Sequence, residues 1–134
     1  MRRYLLDTNI LSDTMRNPQG ALRQRIEVVG SDAVYTSVIV AAELRFGVAK
    51  SGSQRLARNL DEVLRPIEVV PFGEPVDRTY ADLRSELERR GTPIGANDLW
   101  IAAQALHDGS VLVTDNVDEF SRVPGLTVEN WLRS

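Results

Sequence analysis

The chain has 134 residues, 43% hydrophobic and 26% charged, with a formal net charge of -3. That is enough chain for one hydrophobic core, so a single domain over residues 1–134 is expected. It contains no cysteine, which excludes disulfides, zinc–thiolate sites and thiol nucleophiles and fits a reducing cytoplasm.

The first apolar stretch, Tyr4-Leu5-Leu6, reads as part of a strand Arg3–Leu6 and stops at Asp7. It is too short for a signal-peptide core, and no apolar run reaches membrane-spanning length. A helix is expected from about Asn9, broken near Asn17-Pro18, and another over Gln19–Val29. Ala33–Thr36 is strand-like, and Ser37 is an N-cap for a helix reaching about Lys50. Ser51-Gly52-Ser53 is a turn, Gln54–Leu64 a helix, and Ile67–Val70 a strand stopped by Pro71. Pro75 sits at the start of a long charged helix ending near Arg90. After the loop Gly91–Gly95, a helix over Asn97–His107 leads to strands at Val111–Thr114 and Leu126–Glu129. Short apolar strands alternating with helices specify a three-layer α/β domain with a mostly parallel sheet flanked by helices.

Three acids break this pattern. Asp7 closes an apolar strand, Glu43 interrupts Val38-Ile39-Val40-Ala41-Ala42, and Asp98 heads Leu99-Trp100-Ile101-Ala102-Ala103. A carboxylate among aliphatic neighbours is costly unless a cation compensates it. Helix capping accounts for Asp7 or Asp98 taken singly, but Glu43 lies mid-helix, where that explanation fails. In an open α/β sheet, sites form beyond the carboxyl ends of the strands, where Asp7 and Thr114-Asp115-Asn116 fall. Together the three acids suit a magnesium or manganese ion, which takes oxygen ligands and keeps several waters. Asp7 and Asp98 are then the principal ligands, with Glu43 completing the pocket directly or through water. Thr114, Asp115, Asn116 and Asn9 form an accessory tier that could equally make an ordinary turn. Asp118 and Glu119 read as a solvated acidic face, His107 as a favourable charge at a helix C-terminus, and Trp100 and Trp131 as packing.

These blocks resemble the PIN-domain ribonucleases, and specifically the VapC toxins of bacterial toxin–antitoxin pairs. The resemblance rests on Leu5-Leu6-Asp7-Thr8-Asn9-Ile10-Leu11-Ser12 and on Ala42-Glu43-Leu44-Arg45-Phe46-Gly47. It continues through Gly91-Thr92-Pro93-Ile94-Gly95-Ala96-Asn97-Asp98-Leu99-Trp100, Leu112-Val113-Thr114-Asp115-Asn116 and Glu119-Phe120 to Trp131. It implies a Mg2+- or Mn2+-dependent endoribonuclease, cytoplasmic and homodimeric, that cleaves tRNA or rRNA. It further implies inhibition by a VapB-like antitoxin, in an assembly that binds operator DNA through the antitoxin. Asp7, Glu43 and Asp98 match the family's acidic positions, and its fourth acidic position falls on Asn116, with Asp115 the alternative. A haloacid-dehalogenase-type phosphatase needs a second aspartate where Asn9 stands and a downstream lysine, whereas Lys50 is the only lysine. A catalytically silent PIN-type module that binds RNA or protein, and a DNA-acting PIN protein, are the remaining alternatives.

Overall fold

A computed structural model describes residues 2–73 and 75–133. In chain order it contains β1 (Tyr4–Leu6), α1 (Thr8–Arg16), α2 (Ala21–Val29), β2 (Val34–Ser37), α3 (Val38–Ser51), α4 (Gln54–Leu64) and β3 (Glu68–Val70). Then come α5 (Val76–Arg89), α6 (Ala96–Asp108), β4 (Val111–Val113), α7 (Val117–Phe120) and β5 (Val128–Glu129). A single 3-10 turn, Ser31–Ala33, leads into β2.

The five strands form one parallel sheet in the order β3-β2-β1-β4-β5. The register sets Leu5 against Tyr35 on one side and Leu112 on the other, so the central strand is apolar on both faces. Leu5, Leu6, Tyr35, Leu112 and Val113 are fully buried, as a sheet covered by helices on both sides requires. Right-handed crossovers carry α1–α4 over one face while the chain moves from β1 to β3. The return to β4 then puts α5 and α6 on the other face. The packing agrees, because α1 touches α2, α3 and α4, whereas the heaviest helix contact elsewhere is α5 on α6.

Most helix ends follow from their residues. The Ser37 hydroxyl accepts from Ile39 N at 3.0 Å to start α3, and Gly52 and Gly109 close α3 and α6 in the left-handed conformation that glycine adopts without strain. Three expectations shift. The third strand begins at Glu68 because Ile67 N is taken by the Leu64 carbonyl at the end of α4. The last strand begins at Val128 because Leu126 N closes a turn on Val123 O. Residues 117–120, read as a solvated acidic stretch, form α7, a single turn too short to leave a periodic signal.

Strand order reverses between β1 and β4: successive strands leave β1 toward β2 and β3, and β4 lies on its other side. The crevice beyond the carboxyl ends of these two strands is the place where such sheets build sites.

Candidate active site

Asp7 stands at the end of β1 in that crevice, 3% exposed. Its N–H donates to Val113 O at 2.9 Å, so β1 and β4 remain paired up to the acid. Its side chain is also the N-cap of α1: Oδ1 accepts from Thr8 N at 2.7 Å. Capping and site residence thus coincide. Oδ2 accepts the Thr114 hydroxyl at 2.8 Å and the Asn9 amide at 3.4 Å. Asn9 is itself fixed, because its Oδ1 accepts from Asp115 N at 2.8 Å while its Nδ2 reaches Thr114 Oγ1 at 3.2 Å. The two strand ends are therefore cross-linked through side chains. Burial pushes the Asp7 carboxyl above the ordinary aspartate value, the Thr114 and Thr8 donors oppose that, and the charge of Glu43 adds to it.

Glu43 enters from the second turn of α3. Oε1 accepts the Thr8 hydroxyl at 2.8 Å, and Oε2 accepts the Asn97 amide at 3.3 Å. These two bonds join the helical layers across the top of the sheet, where α3 meets α6. Asp98 is the third residue of α6, whose N-cap is Gly95, so it occupies the first turn and not the cap. A carboxylate suits the positive end of the helix dipole there. Yet its pKa is pushed up to about 7, by burial first, then by the adjoining Glu119 carboxyl and the charges of Asp7 and Glu43. Four acids from four separate segments thus share one crevice.

Glu119 is the residue that sequence reasoning missed. It was placed on a solvated face, but Oε1 accepts from Gly95 N at 2.9 Å and Oε2 accepts from Asn116 Nδ2 at 2.6 Å, and it pairs with Asp98. Burial opposes its ionisation, but the Gly95 N–H, Asp98, Asn116 and Arg122 together hold it below the ordinary glutamate range. The one available signal was its place three residues after Asn116, which a single helical turn brings within side-chain reach.

The accessory residues divide. Thr114 and Asn9 touch Asp7. Asn116 is exposed, and its amide is spent on Glu119. Asp115 turns away, accepting from Asn130 at 2.9 Å and pairing with Arg133 at 3.0 Å, which holds it below its usual range. The expectation that Asn116 stands in the fourth acidic position therefore meets a different arrangement, in which Glu119 is the fourth carboxylate beside Asp98. His107 is exposed in the last turn of α6, Trp100 stacks on Tyr80 at 3.7 Å between ring centroids, and Trp131 is buried against Tyr4.

The donor chemistry suits a hard divalent cation. All four side chains offer oxygen, and their mutual repulsion leaves the crevice short of positive charge. In these rotamers no three of the described Asp, Glu or His side chains converge at ligating distance. The reason is visible: Glu43 is drawn to Thr8 and Asn97, and Glu119 to Gly95 and Asn116. The residues fit such an ion once those two side chains rotate inward.

A parallel sheet in this order with acids gathered at its switch point is matched by one family description, the PIN domain, over residues 4–126. The relative named Ribonuclease VapC2 from Rickettsia felis is 38% identical over 130 residues, covering 96% of this chain and 97% of that protein. The tRNA(fMet)-specific endonuclease VapC of Salmonella typhimurium is 33% identical over 132 residues, covering 98% and 99%. In the solved structure of VapBC2 from Rickettsia felis bound to a DNA fragment from their promoter, one chain is 37% identical. It superposes with a TM-score of 0.86, covering 96% of this chain and 98% of that one. The chain belongs to the PIN-domain family, within its VapC branch.

Proposed function

We propose that this chain is the ribonuclease toxin of a type II toxin–antitoxin pair, cleaving tRNA or rRNA with the help of Mg2+ or Mn2+. The observation that carries this reading is the gathering of Asp7, Glu43, Asp98 and Glu119 at one switch point, with Asp98 raised to about 7 by burial and its acidic neighbours. A structural role would not concentrate uncompensated like charge at the end of a buried sheet. Asp7 and Asp98 are the proposed principal ligands, with Glu43 and Glu119 closing the pocket. When bound, a divalent cation supplies Lewis acidity toward a phosphodiester and favours attack by water. The chain's own groups do the positioning. Thr114 and Thr8 aim the two oxygens of Asp7, Asn9 locks the β1 and β4 ends, and Asn97 steadies Glu43.

The relatives' names support the remaining elements. A tRNA-specific endonuclease and a complex with promoter DNA point to an RNA substrate, a VapB-like antitoxin and operator binding through that partner. A groove of about 910 Å³ between α1, α2 and α4, lined by Met15, Leu22, Ile26, Val63 and Ile67, suits an apolar antitoxin segment. A homodimer and a cytoplasmic location complete the proposal. Among the described residues, no helix is long and apolar enough to cross a membrane.

Incubation of the purified protein with total RNA tests the activity. Defined cleavage products that vanish with chelator, return with magnesium or manganese and fail to form with Asp7→Asn are expected. Cleavage undiminished by chelator, or equal in Asp7→Asn, overturns the reading.

A further inference from the structure

The active-site crevice repels what it is proposed to cut. Four carboxylates face any incoming phosphate, so affinity beside them must come from contacts other than charge. Aromatic side chains stacking on bases supply such affinity to single-stranded nucleic acid.

Phe46 is placed for that role. It is 69% exposed, and it is the one aromatic among the strongly exposed large apolar side chains. The other rings are packed: Phe120 and Tyr35 are fully buried, Phe72 and Tyr80 lie against Trp100, and Tyr4 lies against Trp131. Phe46 follows Glu43 by three residues and Gly47 follows it by four, so both sit one helical turn beyond the Glu43 carboxylate on its flank of α3. Arg45 points elsewhere, paired with Asp61 of α4 at 3.2 Å.

Gly47 makes the surface a notch. A Cβ built there would meet nothing within 4 Å, and its φ is not positive, so neither close packing nor backbone conformation calls for glycine. Glycine inside a helix nonetheless costs roughly 0.5–1 kcal/mol relative to alanine. What its missing side chain provides is open space beside an exposed ring and next to the acids.

We propose that Phe46 and the bare backbone of Gly47 form a platform on which one unpaired base of the RNA stacks beside the scissile phosphodiester. The proposal rests on the ribonuclease reading above and names the residue that grips its substrate.

Steady-state cleavage of an unstructured oligoribonucleotide tests it, with sedimentation and melting temperature followed in parallel. Phe46→Ala should raise KM about tenfold with kcat within about twofold, in line with the loss of one stacked base. Phe46→Trp should restore the wild-type KM. Gly47→Leu should fill the notch and raise KM similarly while raising the melting temperature, a combination that a structural role does not give. An abasic substitution at one position of the RNA should raise KM for the wild type and leave Phe46→Ala unaffected. If the wild type cleaves RNA and both variants keep its KM, the platform is refuted and the ribonuclease reading survives. If the losses follow a change in sedimentation, Phe46 is a contact with a second copy and the platform is likewise refuted. If the wild type cleaves no RNA, both readings fall.

Discussion

Asp98→Asn should make the metal-free protein more stable at neutral and alkaline pH. Moving this carboxyl from its ordinary 3.8 to about 7 means that, between those values, the folded chain keeps a proton that the unfolded chain has lost. The folded state then binds more protons, so stability falls as pH rises through that window. Unscreened, the shift corresponds to about 4 kcal/mol at about 1.36 kcal/mol per decade. Asp98 is only half-buried and Glu119 is shifted the opposite way, so screening and coupling reduce this to about 1–2 kcal/mol. The asparagine forfeits a first-turn negative charge worth about 0.3–1 kcal/mol, leaving a net gain of about 1 kcal/mol. For a domain of this size that is a melting-temperature rise of about 3–5 °C. Thermal unfolding of both proteins in chelator, at about pH 5 and about pH 8, measures it. The gain should be present at the higher pH and absent at the lower. A variant less stable at the higher pH, or a difference independent of pH, would refute the assignment of Asp98 to a crowded acidic crevice.

Glu119→Gln should lower cleavage more than Asn116→Ala, because Glu119 adjoins Asp98 whereas Asn116 acts through it. Asp115→Ala should leave cleavage rates near wild type while lowering the melting temperature through loss of the Asn130 and Arg133 contacts. Asn9→Ala should cost about 1–2 kcal/mol in denaturant unfolding, since it orphans the Asp115 N–H at the β1–β4 junction, and should also slow cleavage. Tyr35→Phe should cost about 1–2 kcal/mol with cleavage unchanged. Its hydroxyl ties β2 to Asp108 and Ser110, each at 2.7 Å, and Asp108 and Ser110 sit at the end of the sheet opposite the acids.

The fold was legible because its strands are short apolar runs bounded by turn residues and its helices carry readable caps, Ser37 and Gly109 among them. Asp7, Glu43 and Asp98 stood out because each interrupts an apolar context, where an unpaired charge is expensive. Glu119 did not, because its neighbours Asp115 and Asp118 are acidic too, and an acid among acids carries no contrast. Its position depends on the loop before α6 presenting Gly95 N to it, a contact over 24 residues that no local pattern encodes. Asp115 and Asn116 could not be separated by strand alternation, because the chain has already left β4 at Thr114 and turns toward α7. What decides their direction is tertiary: Asn130 and Arg133 claim Asp115, and Glu119 claims Asn116.

The most direct test of a cation held by the acid cluster is a manganese titration of the chelator-treated protein. Electron paramagnetic resonance follows the free ion, and RNA cleavage is assayed on the same samples. Saturable binding that rises together with cleavage in the wild type, with both lost in Asp7→Asn and Asp98→Asn while their folds persist, is the expected result. Full cleavage by a variant that no longer binds manganese, or manganese binding unchanged in both variants, would contradict it.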